Sequence, residues 1–169
     1  MTILETERLT LREITTDDAE FLLRLLNEPS FITNIGDRNV RTIADAERYA
    51  LNGPIASYKQ HGFGLYLVVL KQTSEAIGIC GLVKREALAD ADIGYAFLPQ
   101  FWGKGYAIEA TSAVKQYSFN QLGQQRILAI VNPENASSIK VLDKLGLRFA
   151  RMVRLSDEAA EICLYSSDL

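Results

Sequence analysis

The sequence predicts a single mixed α/β domain over residues 1–169. Three observations predict it. A chain of 169 residues suits one compact domain with a sizeable core. Strand-like runs of period two alternate with helix-like runs of period 3.6. No repeat, low-complexity tract or linker interrupts them. The order reads β-α-α-β-β-β-α-β-α-β-β, about seven strands and about four helices.

Each element has its own signal. "ILETERLTLREI" alternates polar and apolar residues, as a first strand does. In "TTDDAEFLLRLLNEP", Thr15 with Asp18, or Asp17 with Glu20, can close a capping box. Phe21, Leu22, Leu25 and Leu26 then give a helix one apolar face, and Asn27 to Pro29 stop it. "SFITNIGDRNVR" is polar and irregular, so a loop is expected. "TIADAERYALNGPIASYKQHG" reads as a helix broken at Gly53-Pro54 and then resumed. "FGLYLVVLKQ" and "AIGICGLVKR", joined by "TSE", form a hairpin. "ADIGYAFLP" is the fourth strand, ended by Pro99, and residues 104–120 make a helix. "QRILAIVN" is the fifth strand. "NASSIKVLDKLG" is a short helix with Asn135 near its start and Gly146 as C-cap. "LRFARMVRL" and "AEICLYSS" supply the last two strands. The strand-helix-strand stretch from Ile93 to Val131 should be parallel with a right-handed crossover.

Composition narrows the function. Hydrophobic residues make up 48%, charged residues 23%, and the net charge is −3, as in an ordinary globular protein. There is no basic stripe to suggest nucleic-acid binding. Cys80 and Cys163 lie in apolar strand-like runs without a CxxC, so reduced buried thiols are expected and no metal site. "MTILETERLTLRE" lacks the apolar core of a signal peptide, and no run reaches the ~18 apolar residues of a membrane helix. These features lead to the expectation of a cytoplasmic protein.

The stretch "PQFWGKGYAIEA", Pro99 to Ala110, carries the chemistry. A strand ends, two glycines follow, and a helix begins. The first turn of a helix has N–H groups without internal partners and a partial positive charge. Gly103 and Gly105 let an anion approach that backbone, and Lys104 adds a cation. The arrangement suits a diphosphate, although a tight turn alone would also use two glycines. It is neither a Rossmann fingerprint nor a P-loop, which need a third glycine or GK[ST].

Gln100, Gly103 and Gly105 fit Q/R-x-x-G-x-G/A, and in this the chain resembles the Gcn5-related N-acetyltransferase (GNAT) superfamily, in its RimJ/RimL-like branch. "LETERLTLRE", "IGICGL", "DIGYAFLPQFWGKGYAIEA" and "NPENASSIKVLDKLGL" match four blocks in order over nearly the whole chain. The resemblance implies a mostly antiparallel sheet with a V-shaped splay between the fourth and fifth strands. It also implies acetyl-coenzyme A as cosubstrate, with no metal. Phe97 and Leu98 would offer backbone groups to the pantetheine arm. Gln100 and the backbone of Gly103, Lys104, Gly105, Tyr106 and Ala107 would hold the pyrophosphate. Asn135 would bond the pantetheine or cap its helix.

For catalysis the resemblance implies direct transfer to an amine in a ternary complex. Many relatives carry a Tyr in the second block, and here Leu142 falls at that place. Ser138 is therefore expected to act as acid or thiol-side hydrogen-bond donor, with Ser137 as fallback. Asp92 is the expected general base, with a water chain as the alternative. Glu109 is read as ordering nearby backbone, His61 as a surface loop residue, and Trp102 as a platform for the glycine turn. Tyr95 and Phe31, with the "NIGDR" loop, are expected at the acceptor site. The acceptor would be a protein N-terminus, as on a ribosomal protein, or a small-molecule amine. A homodimer is common among look-alikes. The competing reading is a non-catalytic CoA-binding sensor or scaffold.

Overall fold

The computed structural model describes residues 1–168. Among them, the chain forms β1 (Thr2–Glu5), β2 (Leu9–Glu13), α1 (Ala19–Leu26), α2 (Pro29–Asn34), α3 (Ile43–Ala50), α4 (Ala56–His61), β3 (Leu65–Leu70), β4 (Glu75–Val83) and β5 (Asp92–Phe97). It continues through α5 (Tyr106–Asn120), β6 (Leu128–Val131), α6 (Ala136–Lys144), β7 (Arg148–Val153) and β8 (Ile162–Ser166). One eight-stranded sheet runs β1-β2-β3-β4-β5-β6-β8-β7. Every neighbouring pair is antiparallel except β5 and β6.

Three local expectations are corrected. The predicted first strand is two antiparallel strands, because Thr6 turns the chain: its Oγ1 accepts from the Leu9 amide at 3.0 Å. The predicted loop at 30–41 contains α2, whose first residue is Pro29. A proline costs a helix nothing there, since that N–H would be unpartnered anyway. The chain does not break at Gly53-Pro54. It widens into one π-type turn over Leu51–Ile55 and continues as α4. A wider turn is a known way for a helix to pass a residue that cannot donate.

The capping box at Thr15 forms with Asp18, not between Asp17 and Glu20. Arg12 clamps the same Asp18 with both guanidinium ends, at 2.9 and 2.7 Å. Gly62 (φ +78°) ends α4 and Gly146 (φ +84°) follows α6, both in the left-handed region that glycine adopts most cheaply.

The sheet carries a core on each face. On one side Val68, Cys80, Ile93 and Phe97 pack with Ala110 and Val114 of α5. On the other, Leu67 and Ile79 pack with Leu22, Leu25, Leu26 and Ala46 of the α1–α3 layer. The period-two alternation of strands produces this division. Cys80 and Cys163 are buried and unpaired.

The pair β5 and β6 positions the site. Its parallel register is held by one residue pair, Asp92 with Leu128. The Leu128 amide donates to the Ala91 carbonyl at 2.9 Å. Beyond that point the strands share no register, which is the splay that the resemblance implied.

Candidate active site

The glycine loop sits at the wide end of this splay. Gly103 (φ +73°) and Gly105 (φ +84°) are both left-handed, a conformation costing other residues roughly 1–2 kcal/mol. A Cβ on Gly103 would meet nothing within 4 Å, so the space beside that backbone is open. Gly105 is the N-cap of α5 and has no side chain to satisfy the helix. The first bond of the helix is Glu109 N–H to Gly105 O at 3.1 Å. The amides of Tyr106, Ala107 and Ile108 precede it and are left without helical partners. An open cradle of free N–H groups at a positive helix end fits a diphosphate.

Glu109 does not compete for those amides. Its carboxylate accepts from Thr6 Oγ1 at 2.5 Å, the Arg8 amide at 3.0 Å and Arg8 Nε at 2.7 Å. Burial opposes its charge, but those bonds outweigh it and hold the carboxyl below the usual range. Arg8 also donates to the Lys104 carbonyl at 2.9 Å and lies 4.4 Å over the Tyr106 ring. Sequence reasoning missed Arg8, which braces the loop from the β1–β2 turn. Its only signal was its place in "LETERLTLRE".

Trp102 is 54% exposed, so it is no buried platform. Its indole N–H instead donates to the Phe97 carbonyl at 2.9 Å. That bond ties the loop to the end of β5. Gln100 lies in the turn Pro99–Phe101 between strand and loop.

Register separates Phe97 from Leu98. The Leu98 amide donates to Ile77 O at 3.0 Å, and its carbonyl accepts from Phe101 N at 2.9 Å. Antiparallel pairing alternates, so residues 94 and 96 also bond toward β4. Ala91 faces β6, and the backbones of Ile93, Tyr95 and Phe97 face the same way, into the splay. Leu98 as a backbone donor is therefore corrected: its polar groups are committed within the fold. The Phe97 amide remains.

Across the splay, α6 presents Asn135 and Ser138. Asn135 Oδ1 accepts from the Ser138 amide at 3.3 Å, the predicted cap, and its Nδ2 donors are not used by the cap. Tyr95 on β5 donates its phenol to Ser138 Oγ at 2.9 Å. Burial pushes the Tyr95 pKa up, with the Ser138 bond acting the other way. Leu142 is 3% exposed in the core, so α6 has no phenol of its own there. A strand supplies the phenol instead. The sequence offered Tyr95 as an acceptor-site residue and gave no sign that it meets Ser138.

Asp92 and Phe31 are placed otherwise than expected. Asp92 is 1% exposed and binds Arg85 Nε at 2.8 Å. Burial pushes its pKa up against the pull of Arg85 and Lys84. A base must reach the amine, and this carboxylate is covered and engaged. It also has the opposite strand parity to Tyr95, hence the opposite face of the sheet. Phe31 is 5% exposed in the α1–α3 core and cannot line an acceptor site. His61 is the exposed last residue of α4, with its ring 5.6 Å from Phe63.

The sequence profile of the acetyltransferase (GNAT) domain matches residues 8–148, most of the chain. The chain belongs to the GNAT acetyltransferase family. An uncharacterised N-acetyltransferase of Bacillus licheniformis, p20, is 32% identical over 163 residues, covering 94% of this chain and 89% of that protein. The crystal structure of an acetyltransferase from Agrobacterium tumefaciens superposes with a TM-score of 0.83 at 25% identity, covering 98% of this chain and 95% of the other. RimL, a ribosomal-protein N-acetyltransferase solved with coenzyme A, has a TM-score of 0.85 at 16% identity, covering 98% and 97%. That last likeness is one of fold. The GNAT architecture accounts for the mostly antiparallel sheet, the parallel β5–β6 pair and the splay. No helix among the described residues is long and apolar enough to cross a membrane.

Proposed function

We propose that this GNAT acetyltransferase moves an acetyl group from acetyl-coenzyme A to a primary amine by direct transfer in a ternary complex. The observation that carries the proposal is the splay with its two walls. One wall is the free amide row at Tyr106–Ile108, and the other is the Tyr95–Ser138 pair. The RimL structure, of the same fold, is in complex with coenzyme A.

Acetyl-coenzyme A would supply a thioester already activated for attack. The amides of Tyr106 and Ala107 hold its diphosphate, with Lys104 and Arg8 adding positive charge at the exposed side. Asn135 Nδ2 binds along the pantetheine arm. The Phe97 amide faces the splay and donates to the thioester oxygen as it gains charge. A C–N bond forms as the C–S bond breaks, and the sulfur leaves as thiolate.

Ser138 stabilises that thiolate. Tyr95 donates to Ser138 Oγ, so the Ser138 hydroxyl proton is free to point at the sulfur. A thiol has a pKa of about 8.5 and a phenol about 10. The thiolate is thus the weaker base, and burial raises Tyr95 further. Ser138 therefore acts by hydrogen bonding, and solvent protonates the departing thiolate. The covered Asp92 leaves amine deprotonation to water, and its own task is to hold Arg85.

Thiol release from acetyl-CoA over a panel of peptides, amino acids and polyamines tests the reading. Turnover with at least one amine is expected. Coenzyme A binding without turnover on any amine would favour the sensor or scaffold reading.

A further inference from the structure

We propose that the acceptor is a primary amine that also carries a carboxylate, bound in a cationic groove on the face of β5 opposite Tyr95. This rests on the acetyltransferase reading and adds the class of substrate.

The groove has a volume of about 320 Å³ and is framed by the 36–42 loop, the π-type turn, α4 and the end of β4. Its lining includes Arg38, Lys84, Arg85 and His61 and no carboxylate. Around it the chain as a whole carries a net charge of −3, so the local sign is opposite to the global one.

The sign survives the pairing of these groups. Arg38 has no ion pair among the described residues. Lys84 Nζ donates to the Leu88 and Arg85 carbonyls at 2.6 and 3.0 Å, which leaves its charge uncancelled. Arg85 is paired with Asp92, but the pair is one-sided: the arginine side chain is 31% exposed and the aspartate 2%. A molecule in the groove therefore meets the guanidinium and not the carboxylate. Tyr49, also in the lining, lies in the field of both Arg38 and Arg85. The adjoining hollow of about 420 Å³ does contain an acid, Asp45. That carboxylate is taken up by Arg48 and by the amides of Arg41 and Thr42.

Leu65, which lines the groove, brings it up to β5 beside Gly94. Gly94 shares the strand parity of Asp92, on the groove face, and lies beside Tyr95. A Cβ there would meet only Leu65 Cδ2, at 3.9 Å, and Leu65 lines the groove. The missing side chain leaves a passage over β5, next to the splay. An amine passing over Gly94 reaches the thioester from the face opposite α5 and α6, while its carboxylate stays with Arg38 and Arg85. Guanidinium forks bind carboxylates with two parallel bonds. A polyamine or a basic peptide would meet like charge in the same place.

The experiment compares four acceptors at saturating acetyl-CoA: L-glutamate, a tetrapeptide with acidic residues after its N-terminus, spermidine, and a lysine-rich peptide. We expect kcat/KM for at least one anionic acceptor to exceed that for spermidine about 100-fold. Glutamate turning over assigns a free amino acid, and the acidic peptide alone assigns a protein N-terminus. Arg38→Gln should raise KM for the anionic acceptor about 10-fold and leave KM for acetyl-CoA unchanged. Arg38→Glu should erase the preference for anionic acceptors. Preferred turnover of spermidine or the lysine-rich peptide overturns the acceptor class and leaves the acetyltransferase reading intact. Failure of wild-type protein to bind acetyl-CoA in calorimetry overturns both.

Discussion

The two faces of β5 solve their tasks with different materials. On the face toward α5 and α6, backbone dominates: amides of the first helical turn, the Phe97 N–H and two left-handed glycines. On the opposite face, side chains dominate: Arg38, Lys84 and Arg85, with Gly94 as a gap. A backbone cradle can serve any substitution that preserves two positive φ values. A side-chain groove changes its preference with each residue. On the proposed reading, one strand carries a fixed half, for the acetyl donor, and an adjustable half, for the acceptor.

The sharpest break of this contrast is Gly105→Glu. The change forces a side chain onto φ +84° and brings a negative charge to the helix end. The Kd for acetyl-CoA should rise about 100-fold or more. Far-UV circular dichroism should be unchanged, because the residue is exposed and its Cβ meets only the tip of the Arg8 side chain, at 3.3 Å. Unchanged affinity in calorimetry would remove the loop from the donor site.

Next in size is the Tyr95–Ser138 pair. Ser138→Ala should lower kcat about 100-fold with little change in KM for acetyl-CoA, since the bond matters as charge develops on sulfur. Tyr95→Phe should lower kcat about 10-fold. The double variant should be no slower than Ser138→Ala alone, because Tyr95 acts through Ser138. Multiplying effects would show that Tyr95 works on the substrate by itself.

The same contrast decides what was legible in the sequence. The glycine turn is contiguous, so the residues from Gln100 to Ala107 could be read as one object. Asn135 and Gly146 could be read as caps, because capping is local. The groove has no such continuity: Arg38, Tyr49, His61 and Arg85 come from separate elements, and only folding joins them. Asp92 was legible as an acid at a strand start but not as a buried one. Its burial follows from the packing of the whole fold, and its partner Arg85 lies seven residues away across the β4–β5 connection. Pro54 misleads for a simpler reason: a proline inside a helical pattern predicts a break, but here it sits in a widened turn. Pro29 lies in the stop after α1, as expected, and also opens α2, which the polar run after it conceals.

Asp92→Asn tests the adjustable face with a smaller effect. The amide still accepts from Arg85 but no longer offsets its charge. KM for the anionic acceptor should fall about 3-fold, because the groove then carries one more uncancelled positive charge. The acid limb of kcat/KM against pH should stay where it is. A limb that disappears would restore Asp92 as the general base.

The smallest effect belongs to the brace behind the fixed face. Glu109 is held below its ordinary pKa, since the bonds from Thr6 and Arg8 outweigh the cost of its burial. A carboxylate with a depressed folded pKa binds fewer protons folded than unfolded. Its contribution is therefore present above the unfolded value, about 4.3, and is lost as pH falls through the folded one. Glu109→Gln should lower Tm at pH 7 by about 2–4 °C, equivalent to about 1 kcal/mol for a chain of this size. Solvent on Arg8, 41% exposed, screens the pair and keeps the effect near that figure. As pH falls below the unfolded value and through the depressed folded one, the variant and the wild type should converge, because the wild-type carboxylate then takes up its proton. The variant should also weaken acetyl-CoA binding about 3-fold, through Arg8 and the Lys104 carbonyl it holds. A stability difference that persists undiminished at pH 3 would show that packing, and not charge, is what Glu109 contributes.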